Sequence, residues 1–107
     1  MAFTRATRAR IYLRNSAAFE GRPAHALIAE AFREAGVDDV SVHRSIMGFD
    51  SASGILSSHP LRFHADLPVV VETVDDTERI QSALPRVREV LDCGLITLAD
   101  VDLYSPD

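Results

Sequence analysis

The stretch Leu67-Pro68-Val69-Val70-Val71-Glu72-Thr73-Val74, running into Asp75-Asp76-Thr77-Glu78, decides the fold. Side chains alternate along an extended chain, so Leu67, Val69 and Val71 share one face while Val70 and Val74 share the other. A strand that is apolar on both sides needs cover on both sides. The four residues that follow have the form of a helix N-cap with an acid at its third position. Ile80, Leu84, Val87 and Leu91 then recur at helical spacing. The stretch therefore reads as a strand feeding an amphipathic helix. Pro85 is expected to interrupt and kink that helix by removing one backbone donor, and Gly94 is expected to end it.

Downstream, Val101 and Leu103 alternate with Asp102 and Tyr104 and predict a last strand. Upstream, Leu61 to His64 reads as an early start of the same apolar strand. Before it lies a Ser-rich loop from Asp50 to Pro60 that contains Gly54 and reads as mobile. Val40, Val42 and Ile46 form one side of a second strand, opposed by Ser41, His43, Ser45 and Met47. Before that strand comes a helix whose stripe is Ala24, Leu27, Ile28, Ala31, Phe32 and Ala35, with Pro23 in its first turn and Gly36 as its stop. Ala9, Ile11 and Leu13 alternate with Arg10, Tyr12 and Arg14 in a first strand, joined to the helix by a connection containing Gly21. The order is strand, helix, strand, strand, helix, strand. It predicts an α+β chain, a ferredoxin-like βαββαβ sandwich with both helices on one face of the sheet. Residues 8–104 are expected as one domain, with 1–7 a flexible N-terminal arm. Two helices in one layer leave the second apolar face of the Val69–Val74 strand uncovered, so oligomerisation follows.

Composition removes several function classes. The chain of 107 residues carries 16 acids against 11 bases and a net charge of −5, which argues against a nucleic-acid partner. No apolar run approaches the roughly 20 residues of a membrane span, and the N-terminus lacks a signal-peptide core, so no membrane insertion and a cytoplasmic location are expected. All 11 bases are Arg. The absence of Lys excludes Schiff-base chemistry and a phosphate-loop lysine. The lone Cys93 allows no internal disulfide and, at a helix C-terminus, makes a poor nucleophile. No nucleophile elbow, dinucleotide loop or zinc-protease helix motif occurs. Ser51, Ser53, Ser57 and Ser58 have no neighbouring activator. Asp38-Asp39 and Asp75-Asp76 sit at element boundaries, where turn and cap roles account for them. His25, His43, His59 and His64 do not stand at zinc-ligand spacing with a Cys or acid. Neither a catalytic residue nor a metal site is expected.

Arg44 stands out because it interrupts the apolar side of the second strand. Two readings stand: a long stem that packs while its head reaches solvent, or a guanidinium that holds an anion in a cleft. Gly48 and Phe49 follow at the base of the loop, where Gly permits close approach and Phe either stacks on a ring or fills the core. Arg62 and Arg86 are the further candidates. An anionic ligand with a flat ring matches this set.

Residues 24–36, Val42-His43-Arg44-Ser45-Ile46-Met47-Gly48-Phe49, Asp66 to Asp75 and Gly94 to Val101 together resemble the PII-like family known as domain of unknown function 190. The resemblance covers roughly residues 8 to 104. It implies a PII-type homotrimer with its sheets facing the threefold axis, small ligands such as adenine nucleotides held in clefts between subunits, and a long loop after the second strand that reports ligand state to a protein partner, for example a membrane transporter. By that analogy residues 50–60, with Asp50, Ser51, Ser53 and Gly54, form the partner loop. The phosphate-holding Gly-Asp-Gly-Lys type segment of PII proteins proper is replaced here by Cys93 to Thr97, without Lys, which shifts the expected nucleotide from ATP to AMP or ADP. The alternative function is a metal-binding trimer resembling copper-tolerance proteins of the same fold, using His59, His64 or Asp residues.

Overall fold

The computed structural model describes residues 2–50, 54–57 and 66–105. In chain order these form β1 (Ala2–Arg14), β2 (Ala18–Phe19), β3 (Arg22–Pro23), α1 (Ala24–Glu34), β4 (Ser41–Arg44), β5 (Met47–Asp50), β6 (Gly54–Ser57), β7 (Pro68–Asp75), α2 (Thr77–Val90) and β8 (Leu95–Ser105). The main sheet runs β4-β7-β1-β8 with all neighbours antiparallel. With α1 between β1 and β4 and α2 between β7 and β8, this is the expected ferredoxin-like βαββαβ arrangement.

Alternation builds the core. Ala9, Ile11 and Leu13 of β1 and Val69 and Val71 of β7 point to the helices and are buried there with Leu27, Ile28, Ala31 and Phe32 of α1 and Ile80, Ala83, Val87 and Val90 of α2. Each large side chain so buried contributes about 1.5–3 kcal/mol against exposure. α1 ends as its Gly predicts. Gly36 takes φ +90°, its N–H bonds Arg33 O at 3.0 Å, and Val37 N–H bonds Phe32 O at 3.1 Å, the two bonds of a Schellman cap.

Residues 2–7, expected as an arm, are strand. Ala2 to Thr7 pair in register with Ser105 to Asp100, Phe3 packs on Tyr104 with ring centroids 5.1 Å apart, and Arg5 lies against Asp100 and Asp102. The pairing partner is about a hundred residues away in sequence, so local periodicity does not report it. The connection after β1 contains a two-residue hairpin, β2 to β3, whose turn residues Glu20 and Gly21 have φ +51° and +79°, the sign pattern of a type I′ turn. The second strand is shorter than expected. It stops at Arg44, and the chain re-pairs on itself as the hairpin of β5 and β6, with Gly48 opposite Leu56 and Phe49 opposite Ile55. That hairpin satisfies backbone groups beyond the sheet edge, so Gly54, expected in a loop, begins a strand.

α2 runs unbroken through Pro85, which faces solvent, and ends at Val90, four residues before Gly94. Gly94 has a different task. A Cβ there would collide with the Tyr12 carbonyl oxygen, so Gly lets the chain pass β1 as β8 begins. The cap of α2 also differs: Asp76 takes the N-cap position without a side-chain bond. The carboxylate of Asp75 instead accepts from the N–H of Asp76 at 2.7 Å, from the N–H of Asp38 at 3.0 Å and from Arg79 at 3.2 Å. Burial pushes its pKa up, but those three donors outweigh burial and hold it below the usual carboxylate value.

The face of the sheet away from the helices is uncovered among the described residues. It carries Tyr12, Val70, Val74, Leu95, Val101 and Leu103, with Leu95 58 % and Leu103 51 % exposed. This is the second apolar face foreseen for the strand at Val70 and Val74.

Candidate functional site

Arg44 closes β4 and pairs in register with Val69, so it stands on the helix side of the sheet at its edge. It is exposed, and its Nη2 donates to Asn15 Oδ1 at 3.1 Å. Asn15 belongs to the turn that follows β1, and that turn is tied down twice. Asn15 N–H donates to Leu67 O at 3.0 Å. Ser16 donates to the two carboxylate oxygens of Asp66 from its N–H at 2.9 Å and its hydroxyl at 2.6 Å. Burial raises the Asp66 pKa, but the two Ser16 donors and Arg14, 3.6 Å away, bring it below its ordinary value. Ser45 N–H donates to Pro68 O at 3.0 Å, fixing the chain just after Arg44.

Among the described residues Arg44 shares with Arg8, Arg33 and Arg88 the lack of an ion pair, and it is set apart by the amide that holds it. Arg5, Arg10, Arg14, Arg22, Arg79 and Arg86 each lie against a carboxylate. Among the described residues Arg44 is held by a neutral amide oxygen. Its positive charge faces solvent with no acid on it there, at the point where the chain enters β5. A guanidinium in that state suits bidentate binding of a phosphate or carboxylate.

The other expected site residues scatter. Gly48 and Phe49 lie on β5 together with Asp50, a few residues beyond Arg44. Gly54 opens β6. Ser51, Ser53 and Arg62, like His59 and His64, lie outside the described residues. Arg86 is on α2, paired with Glu89 and seated 5.4 Å from the Phe19 ring centroid. It borders a groove between the helices with Arg22 and Glu30, which are themselves joined at 3.0 and 3.1 Å. The structure does not bring Arg86 to a partner shared with Arg44.

A second polar group lies on the open sheet face. Arg10, Tyr12, His43, Val70 and Glu72 line a shallow depression of about 350 Å³. Arg10 and Glu72 are cross-strand partners in register and form an ion pair. The bond from Arg10 holds the Glu72 carboxyl below its usual pKa against the opposing effect of burial, and the charges of Arg10, His43 and Arg8 add to it. His43 Nε2 lies 2.9 Å from Ser41 Oγ. This constellation is charge-compensated and presents no activated nucleophile, and its chemistry is that of a polar seam across an apolar face. Arg10 and Glu72 stand 62 positions apart, so the sequence reveals them as a pair only once the β1–β7 register is known. Asn15 and Asp66 escape sequence reading because an isolated Asn or Asp at a strand end reads as a turn residue. No group of three or more His, Cys, Asp or Glu side chains able to hold a metal occurs among the described residues, and no helix among them is long and apolar enough to cross a membrane.

Comparison with known proteins gives the family and the fold. The chain is 33 % identical over 94 residues to a UPF0166 protein of Aquifex aeolicus, spanning 88 % of this chain and 89 % of that one. It is 32 % identical over 97 residues to a UPF0166 protein of Methanocaldococcus jannaschii, spanning 90 % and 89 %. Among solved structures it is similar in fold to CPII, a nitrogen regulatory PII-like protein from Thiomonas intermedia K12 solved bound to ADP, AMP and bicarbonate. That match has a TM-score of 0.72 and 16 % identity, and covers 98 % of this chain and 93 % of the other. At that identity the likeness speaks for the fold. The family DUF190, described as Uncharacterized ACR, matches residues 6–103, and with relatives of this identity and span the chain belongs to that family and has the PII-like fold.

Proposed function

We propose that the chain is a non-catalytic, ligand-sensing regulatory subunit that assembles as a homotrimer in the cytoplasm and binds an adenine nucleotide, AMP or ADP, in clefts between copies. The observation that carries this reading is Arg44: an exposed guanidinium held by a neutral oxygen at the sheet edge, in a fold shared with a protein solved with ADP and AMP. In this reading Arg44 holds the phosphate, and Gly48 and Phe49 of β5 contact the ring or its sugar. Arg62 and Arg86 are reserve cations, Arg86 the weaker because Glu89 already pairs with it. Residues 50–60, including Asp50, Ser51, Ser53 and Gly54, present ligand state to a protein partner, with a membrane transporter as one class. The metal-binding alternative rests on His59 and His64, which lie outside the described residues.

Calorimetric titration with AMP, ADP, ATP and cyclic AMP tests the reading. AMP or ADP is expected to bind below millimolar. Arg44→Ala should weaken that binding about ten- to hundredfold, the loss of a charge-assisted bond, and Arg44→Lys should recover part of it because the planar fork is gone. If none of the four nucleotides binds below millimolar, the assignment fails.

A further inference from the structure

We infer that Asn15 is the positioning residue of the Arg44 site: it orients the guanidinium while leaving its charge intact. The inference rests on the anion-binding role given to Arg44 and adds the residue that makes that role work. Six other arginines lie against acids; Arg8, Arg33 and Arg88 have no ion pair among the described residues, but of these three and Arg44 only Arg44 has its guanidinium held by a neutral side-chain acceptor. An Arg paired to an acid has part of its charge answered and some of its donors occupied before any ligand arrives. An Arg left wholly free keeps its charge but loses side-chain entropy when it is ordered by a ligand. The amide oxygen of Asn15 avoids both costs, because one neutral acceptor at 3.1 Å takes one N–H and fixes the side chain. The remaining edge of the guanidinium keeps a fork geometry that suits two oxygens of a phosphate.

The turn supports this use. Asn15 donates its own N–H to Leu67 O, and the next residue, Ser16, makes two hydrogen bonds to Asp66. The backbone that carries the Asn15 side chain is therefore fixed, and Ser45, bonded to Pro68, fixes the chain beside Arg44 from the other side. Both bonds that hold Asn15 and Ser16 by their backbone survive a change of the Asn15 side chain, so the turn itself is expected to keep its shape.

Two substitutions separate the charge from the geometry. Asn15→Asp leaves an acceptor in place but puts a carboxylate on Arg44, making it a seventh acid-paired arginine. ADP binding should weaken about tenfold. Asn15→Ala removes the hold and should weaken ADP about two- to tenfold, the range of one hydrogen bond. A readout free of nucleotide comes from NMR of the arginine Nε–Hε groups, with Arg44→Ala assigning the signal. The Arg44 signal should be distinct in the natural protein, averaged toward exposed-arginine positions in Asn15→Ala, and shifted the opposite way in Asn15→Asp. An Arg44 signal unchanged in Asn15→Ala overturns the inference, as does ADP binding by Asn15→Asp at the natural affinity. If the natural protein binds neither AMP nor ADP while the signal moves as stated, the nucleotide reading fails and the hold of Asn15 on Arg44 stands.

Discussion

The two faces of the one sheet are built from the same strands and differ in what covers them. On the helix side, Ile11, Val69 and Val71 meet Phe32, Ile28, Ile80 and Val87, and none of these is more than 1 % exposed. On the other side, Val70 and Val74 alternate with those very residues of β7, yet they share their face with Tyr12, Leu95, Val101 and Leu103 under no cover among the described residues. Apolar area of that kind is retained where a further surface meets it. The face also carries Arg10 paired to Glu72 with His43 beside it, a polar seam across the apolar residues. One face holds the chain together, while the other lies open among the described residues and is the face on which the proposed homotrimer would close.

The largest effect belongs to the covered face. Phe32→Ala empties the centre of the core and should cost about 3–5 kcal/mol in urea unfolding. A loss under 1 kcal/mol would mean the helix layer is not the seat of stability. Next comes the place where β8 starts against β1. Gly94→Ala sets a Cβ against the Tyr12 carbonyl, and the shift needed should cost about 1–3 kcal/mol. Thermal unfolding at the natural temperature would show that the backbones are not in close approach there.

A smaller effect follows the Asp75 carboxylate, which joins β7, α2 and the segment after α1. Its folded pKa is depressed, so its contribution is present above the unfolded value near 3.9 and is lost as pH falls through the folded value. Asp75→Asn should therefore be less stable than the natural chain by about 1 kcal/mol at neutral pH, with the gap closing on acidification below about pH 4. A gap that widens on acidification contradicts the assignment. Smallest for the chain itself is Val74→Asp on the open face. It should leave the circular dichroism of the folded chain in place and change the stability of the isolated chain by less than about 0.5 kcal/mol, while reducing assembly mass in light scattering. An assembly mass that is unchanged would take Val74 out of any interface.

How much of this was legible depended on the range of each interaction. The period of two at Ala9, Ile11, Leu13 and at Val69, Val71, and the 3–4 spacing from Ala24 to Phe32, are local patterns, and the strands and helix they predict are present where expected. The predicted stripe of α2 was displaced: Ala83 and Val90 are buried where Leu84 and Leu91 were expected, and the latter two are only partly covered. A single turn of small and branched residues leaves the rotation of such a helix to its packing. What depended on distant partners was not legible. Residues 2–7 became strand through residues 100–105, Gly94 was needed because of Tyr12, and Asp75 capped through Asp38. In the candidate site Arg44 was visible because it broke an apolar alternation, whereas Asn15, which holds it, shows no pattern in the sequence. The pair of Arg10 and Glu72 became visible only with the register of β1 and β7.

The open face as a subunit interface is the claim on which the regulatory reading depends, since clefts between copies exist only if copies assemble. The direct test is the mass of the natural protein in solution by light scattering at micromolar concentration. Three times the 11.7 kDa of the chain is expected. A stable species at 11.7 kDa would contradict it, and a dimer would keep a covered face while removing the threefold arrangement.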